Sequence, residues 1–182
     1  TAALFAEAGV PVWDADAAVH RLYAPGGAGA LAIAMLAPGA MDADGGVDRA
    51  ALRDAIAADP SLLARVEAAV HPLVAEDRVD FIAAADVPAV LLDIPLLFET
   101  GADGAFDHVV VVSAPATVQR ERVLSRPGMT AQHFEHILAR QLPDAEKRRR
   151  ADTVIDTGAG VPVARAAVNT LLARLLPETR DA

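Results

Sequence analysis

Two carboxylates stand where an apolar run stops: Val10-Pro11-Val12-Trp13 gives way to Asp14-Ala15-Asp16. A D-x-D at such a place has two uses. Its oxygens orient a hard cation such as Mg2+ or accept a proton from a substrate. Alternatively, the first aspartate caps the following helix, where the macrodipole stabilises it. A second acidic end occurs in "LLDIPLLFETG", Leu91 to Gly101. Asp93 closes an apolar run, as the acidic strand end that helps hold Mg2+ does in phosphate transfer. Ile94-Pro95 forces an extended exit and brings Glu99 near the tip. The "PLLF" stretch also serves as a plain core plug.

Cationic chemistry collects elsewhere. Arg122 and Arg126 are four apart, the spacing of one helix face, and Arg140 follows beyond the "RPGMT" turn. Guanidinium groups around a hinge suit a phosphate clamp, because each offers planar, multi-donor binding; the plainer alternative is surface arginine. From Thr117 to Arg150 there are eight Lys/Arg against four Asp/Glu, inside a chain of net charge −9. That balance excludes general nucleic-acid or anionic-membrane binding and points to a local anion site. Lys147 is the only lysine, and no glycine loop precedes it. His71-Pro72 falls within a helical pattern, and Pro72 predicts a kink or break there. His20, His108, His133 and His136 show no metal-ligand spacing.

These groups need elements to hold them. Apolar runs predict strands at Val10–Trp13, Ala89–Asp93, His108–Ser113 and Thr153–Asp156. "AVLLD" and "HVVVVS" are continuously apolar, the pattern of strands buried on both faces of a parallel sheet. Helical patterns cover Thr1–Ala8, Ala15–Tyr23, Gly29–Leu36, Asp48–Ala58, Ser61–Ala84, Ala116–Ser125, Thr130–Arg150 and Val161–Leu176, with Asp48 and Ser61 as N-caps. The alternation predicts an α/β fold with a parallel sheet. Ligands of such sheets bind outside the carboxyl ends of the strands. Asp14, Asp16, Asp93, Glu99 and Asp156 all follow such ends. The 182 residues suit one domain with an insertion, and a mean hydropathy of +0.30 with no cysteine suits a reduced, alanine-rich core. No run reaches the length of a membrane helix.

In this order the segments resemble the dephospho-coenzyme A kinases. "AEAGVPVWDADAAVHRLYAPG" is similar to that family's segment after its phosphate loop, and "GGVDRAALRDAIAADPSLLARVEAAVHPLV" to its coenzyme-A-side helices. "LLDIPLLFETG" and "RPGMTAQHFEHILARQLPDAEKRRRADTVIDTGAG" resemble its strand signature and its lid with the closing strand. The resemblance implies a three-layer α/β parallel sheet of the P-loop kinase type. Residues 1–23 and 88–182 would form the nucleotide-binding core, with a lid over about 126–150, and 24–87 a helical insertion. It implies ATP and Mg2+ as donor and cation, and transfer to the ribose 3′-hydroxyl of dephospho-coenzyme A. Asp16 would be the base and Arg122 a catalytic contact to ATP phosphates. Asp14, His71, Pro72 and Glu99 would lie on the acceptor side. Arg126, Arg140, Gln141, Asp156 and Gly158 would lie on the nucleotide side, and Asp16 and Asp93 near the metal. A cytoplasmic monomer, with small-molecule substrates and neither nucleic acid nor membrane as partner, is expected. The alternatives are a nucleoside or nucleoside-monophosphate kinase of the same superfamily, or a non-catalytic acceptor-binding module.

Two departures stand out. The family usually has asparagine where Thr157 stands. The sequence also holds no G-x-x-x-x-G-K-[ST] motif and no strand before it; both are expected to precede Thr1, and a chain truly starting at Thr1 is expected to have little kinase activity.

Overall fold

A computed structural model describes residues 1–176. Its elements fall into two compact units, residues 10–94 and residues 1–9 with 95–182. The class is α/β, and each unit contains one parallel strand pair.

The first unit begins at Val10; Gly9, just before it, takes a φ of +88° and ends the preceding helix. Strand β1 (Val12–Asp14) pairs in parallel with β2 (Leu91–Asp93), and Asp14 lies opposite Asp93. Between them run α2 (Ala15–Leu22), α3 (Ala28–Leu36), α4 (Arg49–Ala58) and α5 (Ser61–Ala84). Leu62, Val66 and Val70 recur every fourth residue on α5, so they form one stripe. The stripe packs with Ile33 and Ala37 of the α3 region and Leu52 of α4 into a buried core. Each of the Leu, Ile and Val side chains among them contributes roughly 1.5–3 kcal/mol of burial.

Pro72 does not break α5, which runs unbroken for 24 residues. Proline inside a helix costs about 3 kcal/mol; the buried stripe just before it offsets that cost. Asp48 caps α4 as expected, accepting from the amides of Ala50 and Ala51 at 2.8 and 3.1 Å. Ser61 is not the cap of α5. Pro60 holds that position without a side-chain bond, and Asp59 before it accepts from the Ser61 amide at 3.0 Å and the Ser61 hydroxyl at 2.6 Å.

The other unit contains α1 (Ala2–Glu7), β3 (Val110–Ser113), α6 (Ala116–Leu124), α7 (Ala131–Leu138), α8 (Asp144–Arg150), β4 (Thr153–Asp156) and α9 (Val161–Leu175). β3 and β4 pair in parallel, with Ser113 opposite Asp156. The "HVVVV" run is not covered on both faces. Val109 and Val111 are buried while Val112 is 49% exposed, because successive side chains alternate and only one face meets the Phe98 cluster. The single helix expected over Thr130–Arg150 is two. Pro143, with φ −55° and ψ 141°, starts α8 afresh and lacks the amide hydrogen a continuous helix would need. Among the described residues no helix is long and apolar enough to cross a membrane.

Candidate active site

The acidic tip belongs to residues 10–94. Asp14 caps α2, its Oδ1 accepting from the Ala17 amide at 2.8 Å. The capping alternative is therefore what Asp14 does. Asp16 lies in the first turn of α2 and is exposed, and among the described residues its carboxylate takes no hydrogen bond. Asp93 faces Asp14 across the strand pair. Its carboxyl is held above the ordinary range, first by burial and then by the charges of Asp14 and Asp16. Asp93 remains open to solvent on one side, so the surrounding protein thins its water without sealing it off.

This tip is held from behind. Trp13, 3% exposed, donates its indole N–H to Asp77 Oδ1 of α5 at 2.7 Å. Arg21 donates to the same oxygen at 2.6 Å. Burial acts to raise the Asp77 carboxyl, but the bonds from Trp13 and Arg21 outweigh it and hold the group below its usual range. The long helix α5 thus fixes both the strand that ends in Asp14 and the helix that carries Asp16.

Asp16 and His20 lie one turn apart on α2, and Tyr23 is the residue that caps its C-terminal end. Beyond Asp16 lies an open cavity of about 310 Å3, lined by His20, Tyr23, Asp42 and Arg49 among others. Arg49 stands 5.8 Å from the centre of the Tyr23 ring and has no carboxylate within ion-pair distance among the described residues. Burial raises the Tyr23 phenol and the Arg49 charge partly offsets this. His71 and Pro72 are both exposed on α5.

The cationic groups belong to the other unit. Arg122, in the last turn of α6, donates Nη1 to Thr157 Oγ1 at 3.1 Å and Nη2 to the Thr157 carbonyl at 2.8 Å. Asp156 ends β4 and accepts from the Gly158 amide at 2.6 Å. A Cβ at Gly158 would come within 2.6 Å of Pro115 Cδ, so this turn tolerates no side chain there. Arg122, Asp156, Thr157 and Gly158 are therefore gathered at the ends of β3 and β4. Arg126 is not on the helix face of Arg122, since α6 stops at Leu124 and Arg126 opens the turn to Gly128. Arg140 and Gln141 lie in the turn after α7. Neither Arg126 nor Arg140 has a side-chain hydrogen bond among the described residues.

Glu99 is committed. Its Oε1 accepts from Lys147 Nζ at 2.8 Å and from the Leu142 amide at 2.8 Å, while Oε2 is buried without a partner. Burial pushes the Glu99 carboxyl up, but the Lys147 and Leu142 bonds prevail and lower it. The single lysine, which follows no phosphate-cradling loop, thus finds its role forty-eight residues from its partner. Sequence reasoning missed this pair, and also the buried Ser113 hydroxyl, which donates to Asp144 of α8 at 2.8 Å. Only the opposite signs of Glu99 and Lys147 signalled the first; nothing local signalled the second.

Among the described residues no three His, Asp or Glu side chains are placed to hold a metal. A cation here would depend on one or two carboxylates. Mg2+ accepts that arrangement when phosphates and water supply its other oxygens. Asp93, crowded by like charge, is the group a cation would relieve.

The model of one family, the dephospho-CoA kinases, matches residues 1–162. The chain is 59% identical, over all of its length and 91% of the relative's, to a dephospho-CoA kinase of Cereibacter sphaeroides. It is 53% identical to that of Mesorhizobium japonicum, over 96% of this chain and 89% of the other. The chain belongs to the dephospho-CoA kinase family. Among solved structures of similar fold is TT1252 from Thermus thermophilus, with a TM-score of 0.78 and 35% identity over 96% of this chain and 89% of that one. A dephospho-CoA kinase from Campylobacter jejuni, 20% identical with a TM-score of 0.68 over 93% of this chain and 86% of that one, shares the fold. For a kinase of this family, the acidic strand tip and the held arginine are the parts that call for a chemical role.

Proposed function

We infer that this kinase transfers the terminal phosphoryl group of ATP to dephospho-CoA, giving CoA, and that the acceptor atom is the ribose 3′-oxygen. The observation that carries the reaction is the family match over residues 1–162. The roles of individual residues rest on the resemblance of their segments to that family and, for Asp16, Asp93 and Arg122, also on the geometry described above.

Asp16 is the general base. It is an exposed carboxylate on the first turn of α2, free of hydrogen bonds among the described residues, so it is available to accept the hydroxyl proton. Asp14 supports it by fixing the start of that helix. The cavity beyond His20 lies about 6 Å further along α2, one helical turn. That is the span of one ribose, so the acceptor's diphosphate arm reaches the cavity, where Arg49 supplies positive charge. His71 and Pro72 bound the acceptor side on α5.

Arg122 binds the transferring phosphates, and Arg126 and Arg140 join it from the lid. Gln141, Asp156 and Gly158 bound the nucleotide. Phosphoryl transfer leaves the protein little covalent chemistry, so positioning and charge neutralisation supply the catalysis. Mg2+, held through Asp93 and Asp16, would neutralise phosphate charge. The lid's moving part is 126–141, because the stretch from Leu142 to Arg150 is tied down by Glu99–Lys147 and by Arg150–Asp103 at 2.6 Å. The enzyme acts as a cytoplasmic monomer.

An acceptor panel tests this reading. With ATP and Mg2+, the full-length protein should phosphorylate dephospho-CoA and leave nucleosides and nucleoside monophosphates untouched. The reverse selectivity, or acceptor binding without ATP binding in calorimetry, would overturn it.

A further inference from the structure

We propose that Thr157 is the positioning residue for Arg122, holding its guanidinium ready to receive phosphate in the ATP-dependent transfer on which this inference rests. Three arginines are candidates for the clamp, and Arg122 alone has its guanidinium bonded among the described residues. Thr157 meets it twice, through Oγ1 at 3.1 Å and through the backbone carbonyl at 2.8 Å. A guanidinium carries five N–H donors. Two are used by Thr157, which leaves three for a ligand.

A holder is useful only if it is itself fixed. The Thr157 hydroxyl donates to the Ser113 carbonyl at 3.0 Å, and the Thr157 amide donates to the same carbonyl at 2.8 Å. Ser113 is 3% exposed at the end of β3. The next residue, Gly158, is wedged against Pro115, the residue from which α6 starts. The Thr157 hydroxyl therefore does two things at once: its proton goes to the buried strand end, and its lone pair takes Arg122. That single orientation of one O–H couples the sheet to the arginine. A long exposed side chain would otherwise sample many rotamers, and each misplacement lowers the rate of a reaction that depends on position.

The test uses the full-length protein with ATP and dephospho-CoA. Thr157→Val keeps the shape and removes the hydroxyl. It should lower kcat about tenfold, with a smaller change in KM for dephospho-CoA. Thr157→Ser restores the hydroxyl and should return kcat to within about twofold of wild type. In an Arg122→Lys background, Thr157→Val should cost nothing further, because the residue acts through Arg122. Melting temperatures should be alike throughout; if Thr157→Val melts early, Thr157→Ala gives the same reading. A kcat for Thr157→Val within about twofold of wild type, or losses that multiply in the Arg122→Lys background, overturns the proposal. Absence of dephospho-CoA turnover in the wild type overturns the functional reading as well, and is seen before any variant is made.

Discussion

Asp93 and Glu99 lie six residues apart in one acidic stretch, and their surroundings push them in opposite directions. Asp93 is raised by burial and by the charges of Asp14 and Asp16. Glu99 is lowered on balance, because Lys147 and the Leu142 amide overcome its burial. One carboxyl sits among its own kind and gains from any cation that arrives. The other already has its cation and serves to tie a loop to α8. Carboxyls of one short stretch can therefore carry opposite electrostatic balances.

The contrast can be broken in three ways. The largest effect belongs to Asp16→Asn, which should cut turnover by about 10²- to 10⁴-fold while the melting temperature stays near wild type. Steady-state kinetics beside a calorimetric melt checks both halves, and unchanged turnover removes Asp16 from the base role. Next comes Glu99→Gln. It leaves Lys147, 20% exposed, without a counter-charge, and should lower stability by roughly 2–4 kcal/mol in urea unfolding. Turnover per folded molecule should hold. A raised KM for dephospho-CoA on an intact fold would instead place Glu99, through its free Oε2, among the acceptor-binding groups.

The smallest effect is the pH dependence. Glu99 has a lowered folded-state pKa, so its contribution is complete above the unfolded value of about 4.3 and is lost as pH falls through the folded value. The stability gap between wild type and Glu99→Gln should therefore close in acid. Asp93 has the opposite sign. Its raised pKa means that ionisation costs stability above the folded value, and that cost is absent below the unfolded value of about 3.9. Asp93→Asn should melt slightly higher than wild type at pH 7, and the gain should vanish in acid. Melts across pH 3–8 would show the two curves bending in opposite directions.

What the sequence made legible was local. The Asp48 cap, the Gly9 stop and the strand over Thr153–Asp156 depend on neighbours a few residues away, and each stands where the pattern placed it. The acidic residues after strand ends were equally readable, since a strand's end is a local event. Two prolines were misjudged because their outcome is decided elsewhere. Pro72 is tolerated in α5 by a buried stripe that packs on other helices, whereas Pro143, in a stretch with little buried surface, does restart the chain. Pairings across long separations stayed hidden: Trp13 with Asp77, Glu99 with Lys147, Arg122 with Thr157. No residue-type pattern announces which of many opposite charges will meet.

The unit made of residues 1–9 and the described residues from 95 on is discontinuous, and α1 lies on α9, with Glu7 paired to Arg165. During synthesis α1 emerges early and its mate emerges late, after an entire continuous unit has left the ribosome. The stretch 10–94 can gather its core while the chain is still growing, whereas α1 must wait through that interval for α9, whose Arg165 pairs with Glu7. Closing so long a loop places this docking among the slow, final events of folding.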